Sequence, residues 1–267
     1  MNNLEIINLY NKGKSLASLS RKTNLSAYKI KQLLMNNGVQ IRTRAQQNML
    51  SNQERAKPVN HSYFDLIDNP KKAWILGFIA ADGNISSNRN RIKIALAEQD
   101  SEILEKIKNE IEIERGILHT ETNKGFLISE LSWSSKNHKE QLKKYGIVPN
   151  KTYHPILVPS LPFELQLAYI QGYFDGDGYF KDDKNYCRWE VCSYRKENLQ
   201  SISQIISKLG IEYKDAYSAP SRNNYFTLTY STEDAFVILK KCYEICPLYL
   251  ERKHLKFINW AKRNQRI

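Results

Sequence analysis

Asp82 and Asp177 each stand next to last in a nine-residue stretch of mostly apolar and small residues. The stretches are Ile75-Leu76-Gly77-Phe78-Ile79-Ala80-Ala81-Asp82-Gly83 and Ile170-Gln171-Gly172-Tyr173-Phe174-Asp175-Gly176-Asp177-Gly178. Carboxylates are ligands for hard cations. If two such stretches form helices packed side by side in parallel, the two acids meet at the same end. There they repel each other, and each also lies at the negative end of a helix dipole. The arrangement is unfavourable unless divalent cations bind, and a carboxylate pair holding hard cations at an accessible surface suits metal-assisted phosphodiester cleavage. Other metal chemistries fit less well. Asp175-Gly176-Asp177 is not an EF-hand loop, because Tyr179 stands where a third ligand is needed. Cys187, Cys192, Cys242 and Cys246 have spacings that match no common zinc pattern, and the five histidines are scattered.

The elements that would position the acids follow from the same stretches. Gly77 and Ala81 are four apart, as are Gly172 and Gly176, so each helix has a small-residue face that lets two backbones approach closely. The glycine after each acid predicts a left-handed helix stop. Sliding the chain by 95 residues brings the acids together and also superposes Ile94 on Trp189, Leu96 on Val191, Leu104 on Leu199 and Ile107 on Ile202. An offset of 97 lays Leu131-Ser132-Trp133-Ser134 on Leu228-Thr229-Tyr230-Ser231. Each copy reads as helix, hairpin, helix, hairpin, helix, with strands in the first near 84–87, 90–98, 115–121 and 126–133. That is an α+β fold with antiparallel sheets, in two copies related by a pseudo-twofold axis. The copies are assigned to residues 63–158 and 159–267.

Two such stretches roughly a hundred residues apart, each followed by strand hairpins, resemble the paired motifs of the LAGLIDADG homing endonucleases in their single-chain form. The resemblance covers about residues 63–267 and implies two αββαββα repeats with saddle-shaped antiparallel sheets that bind DNA. It further implies a site-specific double-strand endonuclease, acting as a monomer on a long non-palindromic target. The metal-binding acid of the family falls on Asp82 and Asp177, with Gly83 and Gly178 counted in the metal site. The cofactor implied is Mg2+ or Mn2+, with Ca2+ supporting binding without cleavage. Ala80 departs from the name motif, which has an earlier acid there, and Asp175 is accordingly a supporting residue. The family often places a lysine near the metals, which points to Lys151 and Lys253 as catalytic. A non-cleaving transcription regulator and an RNA maturase, whose partner would be intron RNA, are alternatives on the same fold. The chain start and the absence of a terminal His-Asn argue against a protein-splicing role.

Net charge is +12, of which residues 1–57 carry +8. That concentration favours a polyanionic partner and suggests a module for phosphates. Residues 1–45 read as three short helices resembling a helix-turn-helix, a small all-α domain. Ser26 caps the third helix, and Leu4, Ile7, Leu9 and Tyr10 give the first its apolar face. Lys29 and Lys31 point outward from the third helix. Residues 46–62 read as a basic linker, and Arg42 and Arg44 lie just before it as further DNA contacts. On the sheets, Asn84, Ser86, Arg91 and Lys93 in the first copy, and Lys181, Arg188, Glu190, Arg222 and Tyr225 in the second, are expected to face DNA. No apolar run is long enough to span a bilayer and the start lacks a signal-peptide core, so a cytoplasmic, nucleoid-associated protein is expected, or an organellar one if an organelle encodes it.

Overall fold

A computed structural model of the chain describes residues 1–48, 58–218 and 225–267. These belong to two compact units, Met1–Lys57 and Pro58–Ile267. Among the described residues no helix is long and apolar enough to cross a membrane.

The first unit contains α1 (Asn3–Asn11), α2 (Leu16–Thr23) and α3 (Ala27–Asn36). Asn24, in the left-handed region at φ 56°, joins α2 to α3. Ser26 caps α3 by accepting the Lys29 amide at 3.2 Å. Ile6, Tyr10, Leu19, Ile30 and Leu34 form the core. Leu4, expected inward, is 71% exposed, because the inward stripe of α1 runs through Ile6 and Tyr10. Arg42 also turns inward: its guanidinium lies 3.9 Å from the Tyr10 ring centre and donates to the Lys14 carbonyl, which makes it a packing residue.

The second unit contains the repeat. Its first copy runs α4 (Pro70–Asp82), β1 (Gly83–Ile85), β2 (Arg91–Ala97), α5 (Ser101–Glu110), β3 (Leu118–Glu121), β4 (Leu127–Ser134) and α6 (Lys136–Lys144). The second runs α7 (Phe163–Asp177), β5 (Gly178–Asp182), β6 (Cys187–Ser193), α8 (Lys196–Ile206), β7 (Tyr217–Ser218), β8 (Phe226–Ser231) and α9 (Thr232–Ile245), and α10 (Glu251–Arg263) follows it. Each copy is αββαββα. Its four strands form an antiparallel sheet, ordered β1-β2-β4-β3 in the first and β5-β6-β8-β7 in the second. Alternation puts Ile92, Ile94, Leu131 and Trp133 on the buried face of the first sheet, and Trp189, Val191, Leu228 and Tyr230 on that of the second.

α4 and α7 pack against each other, and both are buried almost all round: Ala73 to Ala81 and Leu165 to Asp175 are continuous buried runs. A helix covered on every side needs apolar residues on every side. The two cross where a Cβ on Gly77 would overlap the Tyr169 carbonyl oxygen and one on Gly172 would overlap that of Trp74. Residues 58–62, expected in the linker, belong to this unit. Val59 enters the core, the Asn60 amide donates to the Ile111 carbonyl, and the Asn60 carbonyl lies 2.7 Å from Nε2 of buried His138. That ring takes the Trp133 indole N–H on its other nitrogen at 3.0 Å.

Candidate active site

Asp82 and Asp177 are the last residues of α4 and α7, so the packing of the two helices brings the acids together. Burial, and then Asp177, pushes the Asp82 carboxyl up to about 6, against the pull of Lys151 and Lys253. Burial likewise raises Asp177, again against Lys151 and Lys253. The pair costs free energy as two anions.

The glycines after the acids do not make the predicted left-handed stop. Gly83 has φ −68° and ψ 143°, and Gly178 has φ −94° and ψ 162°, both extended, because each helix passes directly into a strand. Glycine is needed there for space. A Cβ on Gly83 would come within 2.5 Å of the Ile79 carbonyl oxygen, and one on Gly178 would overlap that of Phe174.

Lys151 and Lys253 both reach the ends of these helices. Lys151 Nζ donates to the carbonyls of Ala80, at 2.6 Å, and Ala81. Lys253 Nζ donates to those of Phe174, Asp175 and Gly178 at 2.7, 2.8 and 2.6 Å. Each lysine therefore places its charge at the negative end of a helix dipole and donates to carbonyls of the last turn, those of Ala80, Ala81 and Asp175 among them. All three protons of buried Lys253 are committed, and desolvation lowers it to about 8. Gly178 is counted in the metal site from the sequence, and its carbonyl accepts from this ammonium. Lys151 has donated two protons and lines a cavity of about 210 Å3 beside Asp177, together with Ala81, Tyr173, Tyr194 and Tyr225.

Asp175 is fully buried, and its Oδ2 accepts the Trp74 indole N–H across the helix pair at 2.9 Å. Burial pushes its carboxyl up to about 7. The pseudo-symmetric place holds Ala80 and Tyr169, and the buried Tyr169 hydroxyl has no partner among the described residues. Trp74 is the residue that sequence reasoning missed, because its partner lies 101 positions away. Lys139 is another. Its ammonium donates to the carbonyls of Ser86, Ser87 and Arg89 at 2.6, 3.1 and 2.9 Å and fixes the β1–β2 loop.

Of the expected DNA contacts, Lys29, Lys31, Arg44, Asn84 and Tyr225 are exposed, and Ser86, Arg91, Lys93, Lys181 and Arg188 are half-buried. Arg91 and Lys93 flank Glu130, at 2.5 and 3.4 Å. Glu190, expected to read bases, is buried and paired with Arg188 at 3.2 Å, so its carboxylate is not presented to solvent. Arg222 lies outside the described residues.

The profile of the LAGLIDADG-like domain matches residues 69–146 and 164–243, one segment in each repeat. Over 173 residues the chain is 29% identical to an A-type ATP synthase subunit of Pyrococcus abyssi, covering 63% of this chain and 16% of that protein. Over 138 residues it is 24% identical to another A-type ATP synthase subunit, from Methanopyrus kandleri, covering 52% of this chain and 13% of that protein. The chain thus spans less than a fifth of the length of these relatives. Among solved structures, the meganuclease I-SmaMI bound to uncleavable DNA superposes with a TM-score of 0.47 at 14% identity, over 73% of this chain and 89% of that one. Full-length DUF199/WhiA from Thermatoga maritima superposes with a TM-score of 0.48 at 14% identity, over 77% of this chain and 65% of that one. Variants of the homing endonuclease I-DmoI superpose with a TM-score of 0.44 at 16% identity, over 72% and 93%.

Proposed function

The chain belongs to the LAGLIDADG-like domain family, its two matched segments falling one in each repeat, and from that premise we propose that it is a divalent-metal-dependent endonuclease that cuts both strands of duplex DNA at a long, non-palindromic site. The observation that carries this reading is the acid pair. Two carboxylates from two pseudo-symmetric helices are crowded together and pushed toward the neutral form. A non-cleaving regulator or an RNA maturase on this fold has no need of that destabilising pair.

The residues fit Mg2+ or Mn2+. Among the described residues no cluster of three or more His, Cys, Asp or Glu side chains is present, and the two carboxylates Asp82 and Asp177 are the side chains that would hold the ion. Mg2+ favours such a site, keeping several waters and taking one or two carboxylates plus substrate phosphate. A bound cation supplies Lewis acidity toward the phosphate and makes water a stronger acid. Asp82 and Asp177 would hold it, at the shared end of the two packed helices. Lys151 and Lys253 secure the helix ends that carry the acids and partly offset their negative charge. Trp74 and Asp175 lock the crossing of the helices. Because one chain contributes both acids, a monomer completes the site.

The test is incubation of the full chain with a randomised duplex library and Mg2+, scored by sequencing cleaved ends. Cleavage at one consensus, absent in EDTA and in Asp82→Asn or Asp177→Asn while binding persists in Ca2+, is the expected result. Specific binding with no cleavage under any divalent cation would favour the regulator, and preference for structured RNA the maturase.

A further inference from the structure

β1 begins at Gly83, next to Asp82, and leads away from the acids into the β1–β2 loop. Ser86 is four residues on from Asp82, roughly 13 Å at about 3.3 Å per residue, and the loop reaches beyond it. The loop sequence, Ser86-Ser87-Asn88-Arg89-Asn90, has no proline to preset its course, and its residues 87–90 are exposed. Its backbone is nevertheless gathered onto the start of α6. The Lys139 ammonium donates to the carbonyls of Ser86, Ser87 and Arg89 at 2.6, 3.1 and 2.9 Å. The amide of Ser135, the residue that caps α6, donates to the Asn90 carbonyl at 2.9 Å. Four of the five loop carbonyls are therefore spent on one helix start.

The side chains left outward share a space with the sheet. Asn88 and Arg89 line an open cavity of about 420 Å3 together with Asn84, Arg91 and Lys93, three residues already expected to touch DNA. The β5–β6 loop of the second repeat is tied down in a comparable way by other residues. There Arg263 donates to the Asp183 carbonyl at 3.2 Å and Asn264 to that of Lys184 at 3.0 Å, both from the end of α10. A loose loop must be ordered when it binds, and that cost falls on right and wrong sequences alike. A loop already fixed presents its side chains in one orientation. Orientation is what a base edge requires, since arginine reads guanine and asparagine reads adenine through paired, directional hydrogen bonds. A phosphate requires far less of it.

We propose that Lys139 is a positioning residue for sequence discrimination: by fixing the β1–β2 loop it aims Asn88 and Arg89 at base edges in the outer part of one half-site. The inference rests on the duplex-endonuclease reading. Lys139 itself touches no base. The distance along β1 puts the bases concerned about four or more base pairs from the cut, at roughly 3.4 Å per pair. Lys93 pairs with Asn84, two residues from Asp82, so its contacts lie further in.

The experiment starts from the duplex selected by the full chain. Each base pair is then changed in turn, and affinity in Ca2+ is measured for the full chain and for Asn88→Ala, Arg89→Ala, Lys139→Met and the pair Arg89→Ala with Lys139→Met. In the full chain a wrong pair at an outer position of one half-site should weaken binding about fivefold or more. Arg89→Ala or Asn88→Ala should bring that ratio close to one, and Lys139→Met should relax the same positions while the inner positions and the other half keep theirs. Adding Lys139→Met to Arg89→Ala should relax them no further, because the lysine acts through the arginine. A merely structural lysine would instead lower affinity for every sequence equally, and that result would overturn the proposal. So would an Arg89→Ala that flattens the salt dependence and leaves base preference intact, since it would make Arg89 a phosphate contact. Lys139→Gln, which keeps a donor without the charge or the reach, carries the same expectation if Lys139→Met does not fold. If no duplex emerges from selection, the endonuclease reading falls and this inference with it; a selected duplex whose outer preferences survive these variants removes the inference alone.

Discussion

Asp82 shows how a residue can oppose the fold and be kept for its site. Its carboxyl is raised from an ordinary value near 4 to about 6 by burial and by Asp177. A raised acid stabilises the fold only while protonated, so its contribution is complete below about pH 4 and is lost as pH rises through about 6. The metal-free protein should therefore lose stability relative to Asp82→Asn as pH climbs from 4 to 7.5. The difference is bounded at about 3 kcal/mol, because each tenfold weakening of the acid corresponds to about 1.4 kcal/mol. Mg2+ should close the gap at pH 7.5 by binding the pair. Thermal melts of both proteins, with and without Mg2+, check this; a gap independent of pH would remove the electrostatic account. Lys253 does the opposite work. Lys253→Met removes a donor from three carbonyls, of which that of Phe174 keeps the Gly178 amide, at roughly 1–3 kcal/mol for each acceptor left buried and unpaired. Urea melts should show a loss of about 3 kcal/mol, and a smaller one for Lys151→Met, because Lys151 is half-buried where Lys253 is buried. The acids were legible in the sequence because each ends an apolar stretch and the stretches repeat. The lysines were legible as neighbours of the acids and not as helix caps, because only the fold brings residue 253 to the carbonyls of residues 174 to 178. The Trp74–Asp175 bond left no local signal, and its pseudo-symmetric counterpart is missing.

Among the elements, α4 and α7 matter most, since their crossing sets where the acids stand. Gly77 and Gly172 face each other's helix backbones so closely that any Cβ would strike a carbonyl. Gly77→Ala and Gly172→Ala should each push the helices apart, costing about 1–3 kcal/mol as overpacking does, and cleavage should fall further than binding because the acids shift. Gly176→Ala would meet the Ala81 methyl and the Asp82 carboxylate, so its effect should fall mainly on metal-dependent activity. Guanidinium melts alongside cleavage rates separate the two classes; unchanged cleavage in Gly77→Ala would contradict the account. At this scale the sequence was most informative. The small residues four apart, the alternation of Ile92, Ile94 and Leu96, and the period of Leu104 and Ile107 each match an observed helix or strand face. What misled was the glycine after each acid. A helix that stops and a helix that runs straight into a strand both favour glycine, the first for its dihedral angles and the second for the space it leaves around the preceding turn.

For the whole molecule the open question is how the basic first unit serves the second. Residues 1–57 carry +8 of the net +12, while both acids, both helix-capping lysines and both sheets belong to the second unit. Under the proposed function, charge so placed would contribute affinity without chemistry. Of the cations expected to touch DNA there, Lys29 and Lys31 are exposed on α3 and Arg44 is exposed beyond it, whereas Arg42 is committed to Tyr10 and Lys14. Each phosphate that a protein neutralises on duplex DNA adds about 0.9 to the slope of log K against log salt. Removing residues 1–57 should therefore flatten the slope by about 3 if these three cations are the contacts, and the triple change Lys29→Ala, Lys31→Ala, Arg44→Ala should reproduce most of that. Arg42→Ala should instead lower the stability of the unit, since it removes a ring contact and a carbonyl bond. Cleavage by the truncated chain should fall on the same phosphates once protein concentration compensates for lost affinity, because the proposed function assigns the cut to Asp82 and Asp177. Salt titrations of binding in Ca2+, with mapping of cut ends in Mg2+, decide it. An unchanged slope would mean that the first unit does not touch phosphate, and a moved cut would mean that it takes part in placing the acids on their target.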